Sequence, residues 1–258
     1  QDGLDAVEIA MKVDHEQWRE ICDELINRNG RGNLGIYIHV SRGADIRRHH
    51  AYPDGISPTV YAFAFEIPPS PVAEKSAAGC YTVATTEDMR WKRCNIKSTA
   101  LLGNVMHYQH GHALGHQETI LYNQDGELTE ASACNVFVVR HGIVATPLLD
   151  HQKLPGITRL MVLDILRRDG SIPVEERVVM LDELDDADEV WITSSSKEIA
   201  PVIEIDGTLA GAAHGLMIGG GDDISPELYG GELKLVARID PERDALERRL
   251  AQEALEAG

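Results

Sequence analysis

Apolar and polar positions follow two different periods along the chain, and each change of period marks a predicted element. Residues 15–27 carry an apolar stripe at helical spacing, which predicts a helix that ends at Asn29-Gly30. Residues 34–40 and 59–67 alternate apolar with polar or β-prone positions, a pattern typical of strands. The run Pro-Pro-Ser-Pro at 68–71 predicts a stiff linker and therefore a domain boundary.

Beyond this boundary the chain is rich in β-prone residues. The pattern predicts a short strand at 80–85 and a helix at 98–114, whose histidines give it an unusual polar face. Between residues 118 and 146, β-prone runs are separated by turns. Asp125-Gly126 lies between two of these runs and is a strong hairpin signal.

The remaining elements complete the predicted fold class. Pro155-Gly156 precedes a predicted helix at 158–168, strands are predicted at 189–194 and 201–205, and a charged helix is predicted at 242–257. Helices that flank a mostly antiparallel, β-rich middle predict a fold of the α+β class.

Composition narrows the classes of protein that fit this pattern. The chain has 258 residues, 43% apolar and 26% charged, which allows one large or two small globular domains. Its net charge of −18 disfavours nucleic acid and anionic membranes as partners, because both bind basic surfaces. No apolar run is long enough to span a bilayer, so we expect a cytoplasmic enzyme. Four scattered cysteines predict free thiols.

Two charged residues are candidates for catalysis. Lys97 lies in the run Arg-Cys-Asn-Ile-Lys-Ser just before a predicted helix, where desolvation would make its amine a nucleophile. Glu130 enters an apolar strand, so its carboxylate needs a cationic partner such as a protonated pyridine nitrogen. Each also has an ordinary alternative, a solvated surface lysine and an exposed hairpin glutamate.

Two further runs are suited to binding an anion. Pro155-Gly156 opens a helix, so the first amides, those of Ile157 and Thr158, point outward and can bind phosphate. The hydroxyls of residues 193–196 follow a predicted buried strand and can donate to phosphate oxygens. Uncapped helix ends and serine-rich turns are common in proteins, so neither run is specific by itself.

Lys97, Glu130, the helix start at 155–158 and the hydroxyls of 193–196 follow one another in an order that resembles the class IV aminotransferases. Enzymes of this family have fold type IV and depend on pyridoxal 5′-phosphate. The resemblance covers Asp88 to about Gly207 and includes the motif Thr-Glu-x-Ser-x-x-Asn-Val-Phe around Glu130. It implies a small α/β domain and a larger β-rich domain. It also implies that Lys97 carries the cofactor covalently and is the catalytic residue. The other cofactor-binding residues implied are Glu130, Leu154, Ile157, Thr158, Ser194 and Ser195.

Within that family, the run Trp-x-Arg-Cys-x-Ile-Lys-Ser resembles the D-amino-acid aminotransferases. These enzymes bind the substrate carboxylate through an Arg-x-His element, which here falls on Arg48 and His50 or, one residue earlier, on Arg47 and His49. A guanidinium suits a carboxylate because it donates two parallel hydrogen bonds. The alternative is a solvated basic loop.

The resemblance implies transamination of a D-amino acid, with a 2-oxo acid such as 2-oxoglutarate as acceptor, by a homodimer. Related alternatives are a branched-chain aminotransferase, an (R)-amine transaminase and an aminodeoxychorismate lyase. An alternative of another class is a non-catalytic or γ-glutamyl-hydrolase-related fragment. We expect no metal, because a solvated or interface helix face explains His107, His110, His112 and His116 better than a metal site does.

The expected domains are the remainder of the small domain at 1–69, a linker at 70–77, the cofactor-binding domain at 78–213 and an atypical segment at 214–258. The family pattern implies that part of the small domain precedes Gln1, including a phosphate-binding Arg and a substrate-facing Tyr. The segment from 214 resembles part of a class I glutamine-amidotransferase-like γ-glutamyl hydrolase. Since no cysteine follows Cys134, no thiol chemistry is assigned to it. It is either a fusion remnant or a glycine-rich turn with a docking helix.

Overall fold

The computed structural model of the protein describes residues 1–30, 32–46, 50–69 and 79–210. Several predicted features lie outside these ranges: Arg47, Arg48, His49, the linker at 70–77 and the segment from 214, including the helix at 242–257. The chain divides into two compact units, residues 1–70 and 71–258. None of the helices in the described ranges combines the length and hydrophobicity needed to cross a membrane.

The first unit contains two helices and a two-stranded ribbon. Helix α1 spans Asp2–Ala6 and helix α2 spans His15–Asn29, followed by strands β1 (Leu34–Ser41) and β2 (Thr59–Glu66), which pair antiparallel. A capping box begins α2, because Asp14 and Gln17 each accept a hydrogen bond from the other's backbone amide. The predicted helix and both predicted strands are confirmed, whereas α1 was not predicted.

In its described part, residues 79–210, the second unit is built on a curled sheet of nine strands. In chain order the strands are β3 (Tyr81–Glu87), β4 (Glu118–Tyr122), β5 (Leu128–Ala131), β6 (Asn135–Arg140), β7 (Ile143–Pro147), β8 (Val174–Arg177), β9 (Glu189–Ser194), β10 (Glu198–Ile205) and β11 (Thr208–Leu209). Their spatial order is β5-β4-β3-β10-β9-β6-β7-β8, with β11 on β10. Strand β3 runs parallel to β4 and β10, and β7 parallel to β8. The other neighbouring pairs in the described sheet are antiparallel.

The curled sheet encloses one apolar core and packs a second one against a helix. Val83, Ile120, Val136 and Ile192 are fully or almost fully buried in the first core. The second core includes Phe137 of β6 and Leu163 of helix α4 (Ile157–Asp169). Apolar burial on both faces therefore fixes the sheet and places α4 against it. The α+β prediction is confirmed.

Several details differ from the sequence-based prediction, including β10, which begins at Glu198 and not at 201, and β11, which was not predicted. Helix α3 spans Leu102–Ala113 and therefore begins later than the predicted helix at 98–114. The residues before it form local bonds instead, since the amide of Ala100 donates to the Ser98 hydroxyl and that of Leu101 donates to the Thr99 carbonyl. Strand β8 was not predicted, because its run Val-Glu-Glu-Arg lacks an apolar pattern and depends on pairing with β7.

Candidate active site

A buried ion-pair network joins the loop that follows β3 to strand β5, which lies on the other side of β4. Arg90 Nη1 donates to Glu130 Oε1 over 2.5 Å, and its Nη2 and Nε donate to the two oxygens of Asp88 over 2.7 and 3.0 Å. The Thr129 hydroxyl also donates to Asp88 Oδ2, over 2.7 Å. The three charged side chains are at most 8% exposed. Glu130 is therefore a buried carboxylate and not an exposed hairpin residue.

The charges of this network do not balance. Two carboxylates share one guanidinium, which leaves one negative charge in a region of low dielectric constant. Burial raises the pKa of Glu130 above its usual value, and the opposing charge of Arg90 does not reverse this shift. Burial also acts on Asp88, but hydrogen bonds and charge from Arg90 outweigh it and hold the pKa of Asp88 below its usual value. A cationic N–H beside Glu130 would complete the charge balance.

The second oxygen of Glu130 links the network to the segment that precedes α4. Glu130 Oε2 accepts the backbone N–H of Leu154 over 2.9 Å and the Nδ2 of Asn135 over 3.2 Å. Asn135 Nδ2 also donates to the carbonyl of Leu154 over 2.9 Å. The sheet and the start of α4 therefore meet at this carboxylate.

The start of α4 offers hydrogen-bond donors to an anion. Gly156 is its N-cap and has no side-chain cap bond, and within the described ranges nothing accepts the amides of Ile157 and Thr158. The buried hydroxyl of Thr193 likewise has no partner there. Thr193 lies directly opposite Asn135 across β9 and β6, so both side chains are on the same face of the sheet. A phosphate group is a suitable acceptor for this donor set.

The predicted serines differ in exposure. Ser194 is partly exposed and its hydroxyl accepts the amide of Lys197 over 3.1 Å, whereas Ser195 is exposed in the turn that follows β9. Thr193 belongs to the candidate run of hydroxyls but not to the cofactor-binding residues that the resemblance implies, and its hydroxyl is the one that the fold leaves buried and without a partner within the described ranges. Its place in the same run of hydroxyls was the available signal.

Lys97 lies in the loop between β3 and α3. The side chain is exposed, so the desolvated environment expected at a strand–helix junction is not present, and β3 already ends at Glu87. The loop is anchored next to the site, because Ile96 is buried and the Asn95 amide donates to the His151 carbonyl over 3.4 Å. Among the residues that the structure describes, none forms an ion pair with the Nζ of Lys97.

The remaining predicted residues lie in different surroundings. Leu154 is partly exposed and Ile157 is 66% exposed, so both can contact a ligand bound at the start of α4. Arg48 lies outside the described residues, and His50 is exposed in the first unit. The structure therefore brings together Glu130, Leu154 and the start of α4, and the Lys97 loop is anchored beside them.

One predicted histidine has a different role from the expected one. His107 is 8% exposed and its Nε2 accepts the Met89 amide over 3.1 Å, so it does not belong to a solvated helix face. The bond holds the loop before Arg90 against α3. Among the residues that the structure describes, no three His, Cys, Asp or Glu side chains are grouped to hold a metal ion.

Comparison with known proteins gives two family matches. The model of the family described as Amino-transferase class IV matches residues 1–205. The model of the family described as Peptidase C26 matches residues 199–258. Both resemblances predicted from the sequence, that of the main part of the chain and that of the segment from 214, are confirmed.

Individual relatives agree with the first match. A D-alanine aminotransferase of Listeria monocytogenes is 35% identical over 203 residues, which are 78% of this chain and 68% of that protein. A D-alanine aminotransferase of Bacillus licheniformis is 40% identical over 189 residues, which are 73% of this chain and 65% of that protein. The crystal structure of the Escherichia coli branched-chain amino acid aminotransferase is similar with a TM-score of 0.72 and 25% identity, over 81% of this chain and 70% of that one.

Proposed function

The chain belongs to the class IV aminotransferase family. We propose that it transaminates D-amino acids, with pyridoxal 5′-phosphate as cofactor and a 2-oxo acid as acceptor. The observation that carries the proposal is the buried Asp88–Arg90–Glu130 network, whose excess negative charge is linked to the uncapped start of α4. A phosphorylated, protonated pyridine matches both ends of this arrangement.

Each end of the cofactor has a proposed set of ligands. Glu130 accepts a hydrogen bond from the protonated ring nitrogen, whose positive charge balances the excess negative charge of the network. Leu154 packs on the face of the ring. The amides of Ile157 and Thr158, with the hydroxyls of Thr193 and Ser195, bind the phosphate. The Ser194 hydroxyl is not part of this set, because successive residues of β9 point to opposite faces of the sheet. When bound, pyridoxal 5′-phosphate supplies a ring that accepts electrons from the substrate Cα.

Lys97 has two proposed tasks. Its Nζ would hold the cofactor covalently. Once freed, the same amine would act as the general acid and base that moves the proton of the substrate Cα.

The substrate preference is carried by the relatives and by the Arg-x-His element. Two of the relatives are D-alanine aminotransferases, and we propose that Arg48 and His50 bind the substrate carboxylate. The amine donor is then a D-amino acid such as D-alanine. Similarity in fold to a branched-chain enzyme keeps that group as the alternative to be tested.

The family also supports a homodimeric state and a cytoplasmic location, which we propose together. Sedimentation equilibrium would check the first, with a mass of twice 28.4 kDa expected. Fractionation of the source cells would check the second. A monomer that remains fully active would contradict the dimer.

The covalent attachment gives the most direct test. We expect borohydride reduction of protein loaded with pyridoxal 5′-phosphate to fix the cofactor to Lys97, as peptide mass mapping would show. Lys97→Ala should abolish this adduct and the half-reaction with D-alanine, because no other amine holds the cofactor. Lys92→Ala, which changes an exposed lysine of the same loop, is the matched control and should behave as wild type. An adduct that persists at the wild-type level in Lys97→Ala would contradict the assignment.

A substrate panel separates the alternatives. Wild-type protein should convert D-alanine faster than L-leucine, (R)-phenylethylamine or aminodeoxychorismate. Preference for L-leucine would assign the protein to the branched-chain group, and release of pyruvate from aminodeoxychorismate would assign it to the lyases. If the protein binds pyridoxal 5′-phosphate but converts none of these four compounds, it is a cofactor-binding protein and not a transaminase of these substrates.

A further inference from the structure

The side chain of Asn135 connects the carboxylate of the site to the segment before α4. Asn135 is the first residue of β6 and is 7% exposed. Its Nδ2 donates to Glu130 Oε2 over 3.2 Å and to the Leu154 carbonyl over 2.9 Å. The Leu154 amide donates to the same Glu130 oxygen over 2.9 Å. The three residues therefore form a closed hydrogen-bonded ring.

The chemistry of this ring requires an amide at position 135. An asparagine Nδ2 carries two hydrogens, so it can donate to a carboxylate and to a carbonyl at once. A carboxylate in its place would face two acceptors, and an apolar side chain would leave both of them without this donor. Bonds to a charged group are also stronger than neutral ones.

The other end of the same side chain fixes the position of the helix. A Cβ added at Gly156 would lie 2.1 Å from Asn135 Oδ1, so the backbone packs directly on this amide. Gly156 is the N-cap of α4 with φ −63°, which any residue can adopt. Its small size is needed for close approach and not for an unusual backbone conformation. Asn135 therefore sets the distance between Glu130 and the first turn of α4.

We propose that Asn135 is a positioning residue that holds the Glu130 carboxylate and the start of α4 at one fixed spacing. A ligand with a cationic ring N–H at one end and a phosphate at the other then binds both ends without a rearrangement, and this lowers the cost of binding. The identity of that ligand as pyridoxal 5′-phosphate rests on the proposed function. The hydrogen-bonded ring itself does not depend on it.

The first test needs no cofactor. Amide hydrogen exchange is compared in cofactor-free wild type, Asn135→Ala, Asn135→Asp and Thr146→Val. Thr146→Val is the matched control, because it removes another buried bond, from the Thr146 hydroxyl to the Val136 carbonyl over 2.7 Å. We expect exchange in the peptide around Leu154 to become about tenfold faster in both Asn135 variants and to stay at the wild-type rate in the control. Unchanged exchange in the Asn135 variants would overturn the proposal.

The second test measures affinity for pyridoxal 5′-phosphate in a double-mutant cycle. Asn135→Ala should weaken binding about tenfold, or about 1.4 kcal/mol, in otherwise wild-type protein. In a Glu130→Ala background the same substitution should weaken it less than about threefold, because no carboxylate is then left for Asn135 to hold against the start of α4. A loss of equal size in both backgrounds would mean that Asn135 is only structural.

A pH profile keeps the test decisive if Asn135→Ala does not fold. In Asn135→Asp the introduced carboxyl regains a donor hydrogen on protonation, so affinity should approach that of wild type as the pH falls. If the ratio to wild type stays constant with pH, the proposal is overturned. Failure of wild-type protein to bind pyridoxal 5′-phosphate at Lys97 would instead overturn the proposed function, and the exchange experiment would still decide the role of Asn135.

Discussion

At the scale of single residues, the guanidinium of Arg90 joins the two carboxylates of the candidate site. Asp88 and Glu130 are separated by 42 positions in the chain, and both are bonded to Arg90. Charge and hydrogen bonds from both carboxylates raise the pKa of Arg90 despite its burial, so it stays cationic. Without it, two buried negative charges would have no cationic partner within the described network.

We therefore expect Arg90→Gln to lower the free energy of unfolding by about 3–5 kcal/mol, because removal of one partner leaves buried charges uncompensated. Urea unfolding of protein without cofactor would measure the loss. Arg93→Gln is the control, since Arg93 is exposed in the same loop, and it should unfold at the wild-type urea concentration. Equal midpoints for Arg90→Gln and wild type would contradict the assigned role of the network.

At the scale of elements, α4 is fixed to the sheet by a buried arginine as well as by apolar packing. Arg159 is 1% exposed and its Nη2 donates to the Pro147 carbonyl over 2.9 Å and to Glu176 Oε2 over 2.8 Å. Glu176 also accepts from Arg167 over 2.6 Å. Burial by itself would raise the pKa of Glu176, but the hydrogen bonds from both arginines hold it below its usual value. The bonds of Arg159 join the first turn of α4 to β7 and β8, and the bond of Arg167 joins the last turn to β8.

Glu176→Gln should lower the free energy of unfolding at neutral pH by about 1–3 kcal/mol, the range for hydrogen bonds to charged groups. The folded-state pKa lies below the unfolded value of about 4.3. The stabilisation is therefore complete above that value and is lost as the pH falls through the folded-state pKa. Thermal unfolding would be measured from neutral pH to below pH ~4. The difference in stability between Glu176→Gln and wild type should become smaller as the pH falls.

The control for this element is Glu175→Gln, because Glu175 and its partner Arg177 are both more than a third exposed. A surface pair of this kind contributes less than about 1 kcal/mol. If both variants lost the same stability, or if the gap for Glu176→Gln persisted in acid, the bond between α4 and the sheet would not have the strength assigned to it.

At the scale of the whole molecule, the residues with proposed roles are distributed over both compact units. Glu130, Leu154 and the Lys97 loop belong to the second unit, whereas Arg48 and His50 belong to the first. The net charge of −18 repels a small anionic substrate, so its binding depends on local positive groups such as the run Arg-Arg-His-His at 47–50. The segment that resembles Peptidase C26 has no cysteine, so it lacks a thiol nucleophile.

Arg48→Gln should lower kcat/KM for D-alanine. The loss should correspond to roughly 2–5 kcal/mol of transition-state stabilisation, as expected when one partner of a paired charge is removed. Turnover of an amine that lacks a carboxylate, such as (R)-phenylethylamine, should fall much less. Steady-state kinetics with both substrates would check this. Equal losses for the two would show that Arg48 is structural, and Arg47→Gln tests the alternative register in the same assay.

Most local features follow from the sequence alone, because neighbouring residues determine them. The capping box at Asp14 and the hairpin at Asp125-Gly126 need only short-range bonds, and Gly126 has the positive φ of 78° that such a turn requires. The motifs also select Glu130 and the start of α4. Family resemblance added the roles of Lys97 and of the Arg-x-His element, which contacts in the structure do not test.

Other features depend on which distant segments the fold brings together. The bond from Arg90 to Glu130 spans 40 positions and that from Leu154 to Glu130 spans 24, and both exist only because the curled sheet places these segments side by side. Strand β8 forms by pairing with β7. Thr193 lies opposite Asn135, and its buried hydroxyl has no partner among the residues that the structure describes. Short-range patterns determine the elements and the motifs, while burial and charge balance among distant residues are decided by tertiary packing.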